Sequence, residues 1–293
     1  MTFSFGCSQK SADIVRLEKH LTTITKSTSF RNHANLEELN RVANYIESEF
    51  QKTADSTKFQ DFVVNGNTYR NVIASFGTNN KQRIIVGAHY DVAGNQEGAD
   101  DNASGVVGLI ELSRLLKNET LNYQIDLVAY SLEEPPYFRT ENMGSYIHAK
   151  SLITDKIDVK GMVSLEMIGY FKSKPNTQFY PDQRLSEVYG TTGDFISLVG
   201  RTNKKQFAED FSTQFKNTNM LKSIVFDGPA STEGVDFSDH LNYWNFDISA
   251  LMITDTAFLR NPNYHNKTDT MKTLDLEKMT LVINVVHQTL LKL

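Results

Sequence analysis

The stretch GAHYDVAGNQEGADDNASG, residues 87–105, sets one histidine and four acidic residues in a run that is otherwise small and glycine-rich. Carboxylates packed this densely repel one another, so their neighbourhood implies a compensating positive charge. Further along, Glu133 and Glu134 stand side by side before Pro135-Pro136, Glu166 follows GMVSL, and Tyr264-His265 follows ISALMITD after a short loop. Oxygen and imidazole donors of this kind suit zinc, and cobalt or manganese accept the same set. Two zinc ions carry four positive charges. Asp101, Glu134 and Glu166 supply three negative charges and one hydroxide the fourth, which makes the crowded acids acceptable neighbours.

Each side chain then has a distinct task. Two ions held roughly 3.5–4 Å apart need a bridging carboxylate, and the short, stiff Asp101 suits that position. His89 and His265 would complete one ion each. Asp91 lies two residues after His89, on the same side of an extended chain. It is expected to hold the other ring N–H of His89 and so fix its tautomer. Neighbours in an extended chain point in different directions. Glu134 can therefore bind metal while Glu133 faces the water and takes its proton as general base. Pro135 biases Glu134 towards the extended conformation this requires.

The elements that must position these residues follow from hydrophobic spacing. SADIVRLEKHLTTITK and LEELNRVANYIESEF carry apolar residues at three-four spacing and predict helices. KFQDFVVN and YRNVIASFG predict strands joined by the turn NGNT. RIIVGAHY, YQIDLVAYSL, GMVSLEMIGY, LKSIVFDG and ISALMITD predict further strands. Helices are expected over 103–117, near 144–151, in KKQFAEDFSTQFK and over 274–291. Near-continuous apolar strands alternating with helices predict an α/β sheet covered by helices on both faces. Ligands of such sheets bind beyond the carboxyl ends of the strands, and four different strands lead there to the candidate residues.

The chain has 293 residues, 40% of them hydrophobic, which suffices for one large domain. A single domain over 1–293 is expected, with helices in about 1–65 packing on the sheet. Residues 171–193 have no clear period, and so long a loop is expected to form a rim over a site. The net charge of -5 without a basic block leaves no electrostatic footprint for nucleic acid. No apolar run reaches the roughly 18 residues of a transmembrane helix. A single cysteine, Cys7, excludes an internal disulfide. The opening MTFSFGCSQK lacks the basic region and longer apolar core of a signal, which favours a cytoplasmic location. The small residues before Cys7 leave an alternative, an exported or lipid-anchored protein whose true start lies upstream. Oligomeric state leaves no trace in the sequence.

In order along the chain, HYD, GADDNASGV, LEEP, LEMIG, SDH and YHNKTDT resemble the co-catalytic di-zinc aminopeptidases of bacteria, a family that also includes carboxypeptidases. The resemblance runs from about Tyr69 to the C-terminus. It implies a three-layer α/β fold around a mixed, mostly parallel sheet of about eight strands. It implies that His89, Asp101 and Glu166 bind one zinc and that Asp101, Glu134 and His265 bind the other. Glu133 matches the general base, Asp91 the supporting aspartate, and Tyr264 a tyrosine that in some members stabilises the tetrahedral intermediate. The Asp101-Asn102 bond matches a cis peptide of the family. Two departures stand out. Glu166 occupies a position that is usually Asp, and PPYFRTENMGS replaces a glycine-rich segment after Glu134. Asp239 and His240 match a segment near the site and are expected to be supporting or structural. His20, His33, His148 and His287 fall away from the strand ends. The implied activity is removal of the first residue from peptides with a free N-terminus. Two other readings use the same residues: a single-zinc enzyme resembling glutaminyl cyclases, and a non-catalytic binding protein on the same fold.

Overall fold

A computed structural model describes residues 10–203 and 205–293, so the Cys7 segment and its bearing on location lie outside the described residues. The chain opens with α1 (Ile14–Thr25), α2 (Leu36–Phe50), β1 (Ser56–Val64), β2 (Asn67–Phe76) and β3 (Arg83–His89). There follow α3 (Gly105–Leu116), β4 (Gln124–Tyr130), α4 (Gly144–Thr154), β5 (Val159–Glu166) and the short α5 (Leu185–Tyr189). The last elements are β6 (Ile196–Arg201), α6 (Gln206–Asn217), β7 (Ser223–Gly228), α7 (His240–Asn245), β8 (Ala250–Thr254) and α8 (Leu276–Lys292).

The strands form one sheet in the order β1-β2-β4-β3-β5-β8-β6-β7. The four central strands, β4, β3, β5 and β8, are mutually parallel. β2 joins β4 antiparallel on one side, and β6 joins β8 antiparallel on the other. The chain passes from β3 to β4 on one side and returns to β5 on the other. That reversal opens a crevice at the carboxyl ends of the central strands.

Alternating side chains of these strands feed two cores. Ile84, Val86, Leu127, Leu165 and Ile253 pack with α1, α2, α3, α6 and α8, whereas Ile85, Val128, Met162 and Met252 pack with residues of α4 and α7. The helices obey their own period. Leu17, Leu21 and Ile24 form the buried stripe of α1, and Leu39, Val42, Ala43, Ile46 and Phe50 that of α2. Asp13, Asn35 and Asp275 accept main-chain N–H bonds at the first turns of α1, α2 and α8. None of the described helices is long and apolar enough to cross a membrane.

The helices within residues 1–65 end at Phe50, and the strand expected at KFQDFVVN is the edge strand β1. Two features differ from the sequence reading. β6, which the spacing leaves unassigned, is an eighth strand wedged between β7 and β8. Residues 171–193 contain the one-turn helix α5 but otherwise no regular element.

Candidate metal centre

The four central strands end at the same crevice. β3 ends on His89, β5 ends on Glu166, and Glu133 and Glu134 follow β4 by three and four residues. His265 comes from the loop after β8. Asp101 lies in an irregular turn, Ala99–Ser104, that leads into α3, where Asp101 and Asn102 leave helical geometry. The Asp101-Asn102 peptide is cis, as is Pro135-Pro136.

Asp101 stands between the two imidazoles. Its Oδ1 is 3.4 Å from His89 Nε2 and its Oδ2 is 3.1 Å from His265 Nε2. Glu166 Oε2 lies 3.4 Å from His89 Nε2, and Glu134 Oε2 lies 3.2 Å from His265 Nε2. His89, Asp101 and Glu166 therefore offer one set of donor atoms within 4.8 Å of one another, and Asp101, Glu134 and His265 offer a second. Glu133 Oε2 points into the same space, 3.8 Å from His89 Nε2. Asp101 Oδ2 and Glu134 Oε1 are buried and accept no hydrogen bond. Buried carboxylate oxygens without donors are costly, and Asp101 Oδ2 faces His265 Nε2 across a gap that a cation would fill. This donor set fits zinc.

The electrostatics express the same convergence. Burial opposes ionisation of Asp101, but the two flanking imidazoles prevail and hold its carboxyl well below the usual range. Burial likewise disfavours a charged His265, yet Asp101 and Glu134 raise it to about 10. Burial pushes Glu133 well above the ordinary carboxylate range; His89 opposes the rise, and Glu134 and Glu166 add to it. Burial, then Asp101, pushes Glu134 up to about 7.

Supporting contacts hold these groups in place. Glu166 Oε2 accepts from Ser238 Oγ at 2.8 Å and from Asn102 Nδ2 at 3.3 Å. Asn102 Oδ1 accepts the amides of Gly105 and Met167, each at 3.1 Å, which ties the turn to the end of β5. Asp91 differs from expectation. The atom of Asp91 nearest to His89 Nδ1 is its main-chain carbonyl oxygen, at 3.2 Å, with the carboxylate at 3.6 Å. The carboxylate instead accepts the amides of Glu133 (3.2 Å) and Glu134 (3.0 Å), orienting the acidic pair through the backbone. Tyr264 stacks on His265 with ring centroids 3.8 Å apart. Ser238, Asn102 and Asp269, which accepts the amides of Asp100 and Asp101, were not assigned roles by spacing, although each sits in or beside a quoted motif.

The remaining histidines lie elsewhere. His20 bonds Tyr45, His148 bonds Tyr243, and His240 bonds the carbonyl of Val235. Asp239 is fully buried near the site, with its carboxyl pushed up to about 7 by burial. Beside Glu166 opens an apolar hollow. Phe195 and Val199 at β6, Phe226 of β7 and Met252 of β8 line it, and Tyr180 and Tyr189 from residues 171–193 supply an outer wall.

Together, fold and site define an α/β protein with a buried histidine–carboxylate centre at its strand switch point. The chain belongs to Peptidase family M28, whose model matches residues 71–290. It is 42% identical to "Uncharacterized protein YfbL" of Escherichia coli (strain K12), over 92% of this chain and 85% of that one. It is 26% identical to a "Probable leucine aminopeptidase" of Trichophyton verrucosum (strain HKI 0517), over 81% of this chain and 62% of that one. Among solved structures, the LapA aminopeptidase of Legionella pneumophila matches with TM-score 0.72 and 21% identity, over 94% of this chain and 70% of that one. The Bacteroides thetaiotaomicron glutaminyl cyclase matches with TM-score 0.69 and 18% identity, over 98% of this chain and all of that one. These structural likenesses establish the fold. They do not separate hydrolysis from cyclisation, because the fold hosts both.

Proposed function

We propose that the chain is an aminopeptidase that holds two zinc ions and removes a bulky apolar first residue from unblocked peptides. One observation carries this reading: Asp101 directs one carboxylate oxygen towards each of two histidines, and each histidine has a further carboxylate beside it. Membership of a peptidase family and the aminopeptidase names of relatives support the same reading.

His89, Asp101 and Glu166 would hold one ion, and Asp101, Glu134 and His265 the other. Zinc, when bound, supplies the positive charge that polarises a carbonyl and acidifies water. The chain's own residues do the rest. Glu133, aimed into the space between the two donor sets, takes a proton from the attacking water and passes it to the departing amine. Asp91 fixes where Glu133 and Glu134 start by holding both their amides. Burial keeps the Tyr264 hydroxyl protonated, so it can donate to the substrate oxyanion. The apolar hollow beside Glu166 receives the first side chain and excludes water from it.

The test is hydrolysis of aminoacyl and N-blocked aminoacyl anilides by chelated protein, as zinc is returned by equivalents. Turnover of the unblocked compounds alone, reaching a plateau at about two zinc per chain, is expected. A cyclised product from peptides beginning with glutamine, at one zinc per chain, would overturn the reading in favour of a cyclase. A protein that retains no zinc would overturn it in favour of a binding role.

A further inference from the structure

The main chain of residues 97–101, which ends at Asp101, is gripped from both sides. Arg31, in the loop between α1 and α2, is buried at 2% exposure. Its Nε donates to the carbonyl of Tyr90 at 2.7 Å and its Nη2 to the carbonyl of Gly98 at 2.6 Å, while Nη1 donates to the carbonyl of Glu97. From the other side the Asp269 carboxylate accepts the amide of Asp100 at 2.9 Å and that of Asp101 at 3.0 Å. The Asp269 carbonyl accepts the amide of Ala99 at 3.3 Å. Across these five residues, the carbonyls of Glu97 and Gly98 are held by one side chain and the amides of Ala99, Asp100 and Asp101 by another residue.

The chain between them has little freedom of its own. Gly98 has φ +56, and a Cβ there would meet the Asp101 carbonyl at 2.3 Å and Arg31 Nη2 at 3.0 Å. Among the described residues Arg31 makes no ion pair. Its bonding is spent on three carbonyls, which is unusual for a buried guanidinium and points to a task at the backbone. Burial draws Arg31 down to about 10, with Asp269 first among the carboxylates that oppose this, so it is a full cation at neutral pH. Arg31 also lies outside the residues matched by the family model, 71–290.

We infer that Arg31 and Asp269 are paired positioning residues that fix the backbone of 97–101 and thereby aim both carboxylate oxygens of Asp101. The inference rests on the reading of Asp101 as the shared ligand. A ligand that must serve two ions tolerates displacement of only about 0.5 Å, and its own side chain has one rotatable bond before the carboxylate plane. Orientation therefore has to come from the main chain. In this chain an N-terminal segment outside the family-matched residues provides half of it.

The experiment compares Arg31→Met, Asp269→Asn, the double variant and Arg31→Lys in full-length protein. Zinc affinity is read by competition with a chromophoric chelator, and site geometry by the visible spectrum of the cobalt-substituted protein. Each single change is expected to weaken zinc binding about 10- to 100-fold and to alter the cobalt spectrum. The double variant should lose less than the product of the two, because the grip acts as a unit. Arg31→Lys, which keeps a cation and donors, should recover part of the loss. Asn32→Ala removes bonds from the same loop to Gly94 and Asn95 and should leave zinc affinity at the parental value. Melting of the metal-free variants identifies any that fail to fold, in which case Arg31→Lys decides. Parental affinity and spectrum in the folded variants would overturn the inference, as would strictly multiplicative losses. A parent protein that binds no zinc would overturn the metal reading itself, and the inference with it.

Discussion

Asp101 and Glu133 are both buried carboxylates within a few ångströms of His89, yet burial wins at one and loses at the other. The difference lies in company. Asp101 has an imidazole on each side, whereas Glu133 has one imidazole and three carboxylates, Glu134, Glu166 and Asp239. Two acids with opposed environments suit two tasks, holding charge and moving a proton. Glu133→Gln keeps the size of the side chain and removes its basicity. It is expected to retain parental zinc content and to lose about 10²–10⁴-fold in turnover, checked by elemental analysis beside anilide hydrolysis. At this scale the sequence was informative because donors are side chains at strand ends, visible as His, Asp or Glu closing an apolar run. It was silent on Arg31, whose contacts are all to carbonyls 59 or more residues away. It also missed the bonds from the Asp91 carboxylate to the amides of Glu133 and Glu134, which lie beyond the end of β4 and which spacing within one segment does not reveal.

The elements deliver these residues only if α3 can approach β5 closely. A Cβ at Gly105 would lie 2.5 Å from Asn102 Oδ1 and 2.6 Å from the Leu165 carbonyl. Gly105→Ala is therefore expected to cost about 1–3 kcal/mol of stability, measured by urea unfolding, and to disturb Glu166 through Asn102. The opposite face of the sheet carries a separate liability. Burial pulls His148 of α4 and His240 of α7 down to about 4, so both are neutral in the folded chain. On unfolding they return to about 6.5 and bind protons that the folded state refuses. Stability should fall as pH drops from about 6.5 towards 4, by roughly 1.4 kcal/mol per pH unit for each ring. Unfolding free energies at pH 7, 6 and 5 should decline less steeply in a His148→Gln/His240→Gln variant than in the parent. Most elements were legible because α1 and α2 carry a strong helical period and the central strands are near-continuous apolar runs. β6 was not: its six residues follow an aperiodic stretch, and its strand character comes from pairing with β7 and β8, both later in the chain.

Across the whole molecule, β6 matters beyond completing the sheet. Running against β8, it brings Phe195 and Val199 to the wall of the hollow that residues 171–193 close from outside. The lining of the hollow is largely aromatic and aliphatic, which suits an apolar side chain better than a small or charged one. Phenylalanyl and leucyl anilides should be cleaved with kcat/KM at least tenfold above alanyl or lysyl ones, since each buried methylene is worth about 1 kcal/mol or more. Equal rates across that panel would detach the hollow from substrate choice.

The two donor sets are also unequally sheltered. His89 and Glu166 have side chains 1% and 7% exposed, whereas the His265 side chain is 32% exposed and rides on a loop. The site therefore has an inner and an outer berth. Cations held there would exchange with solvent at different speeds, the His265 side first, so chelation should run in two phases through a singly loaded form. Stopped-flow release into a chromophoric chelator would resolve the two rates. In a cell short of metal, such a protein would spend time half-loaded, its activity tracking the supply of the ion it holds less firmly.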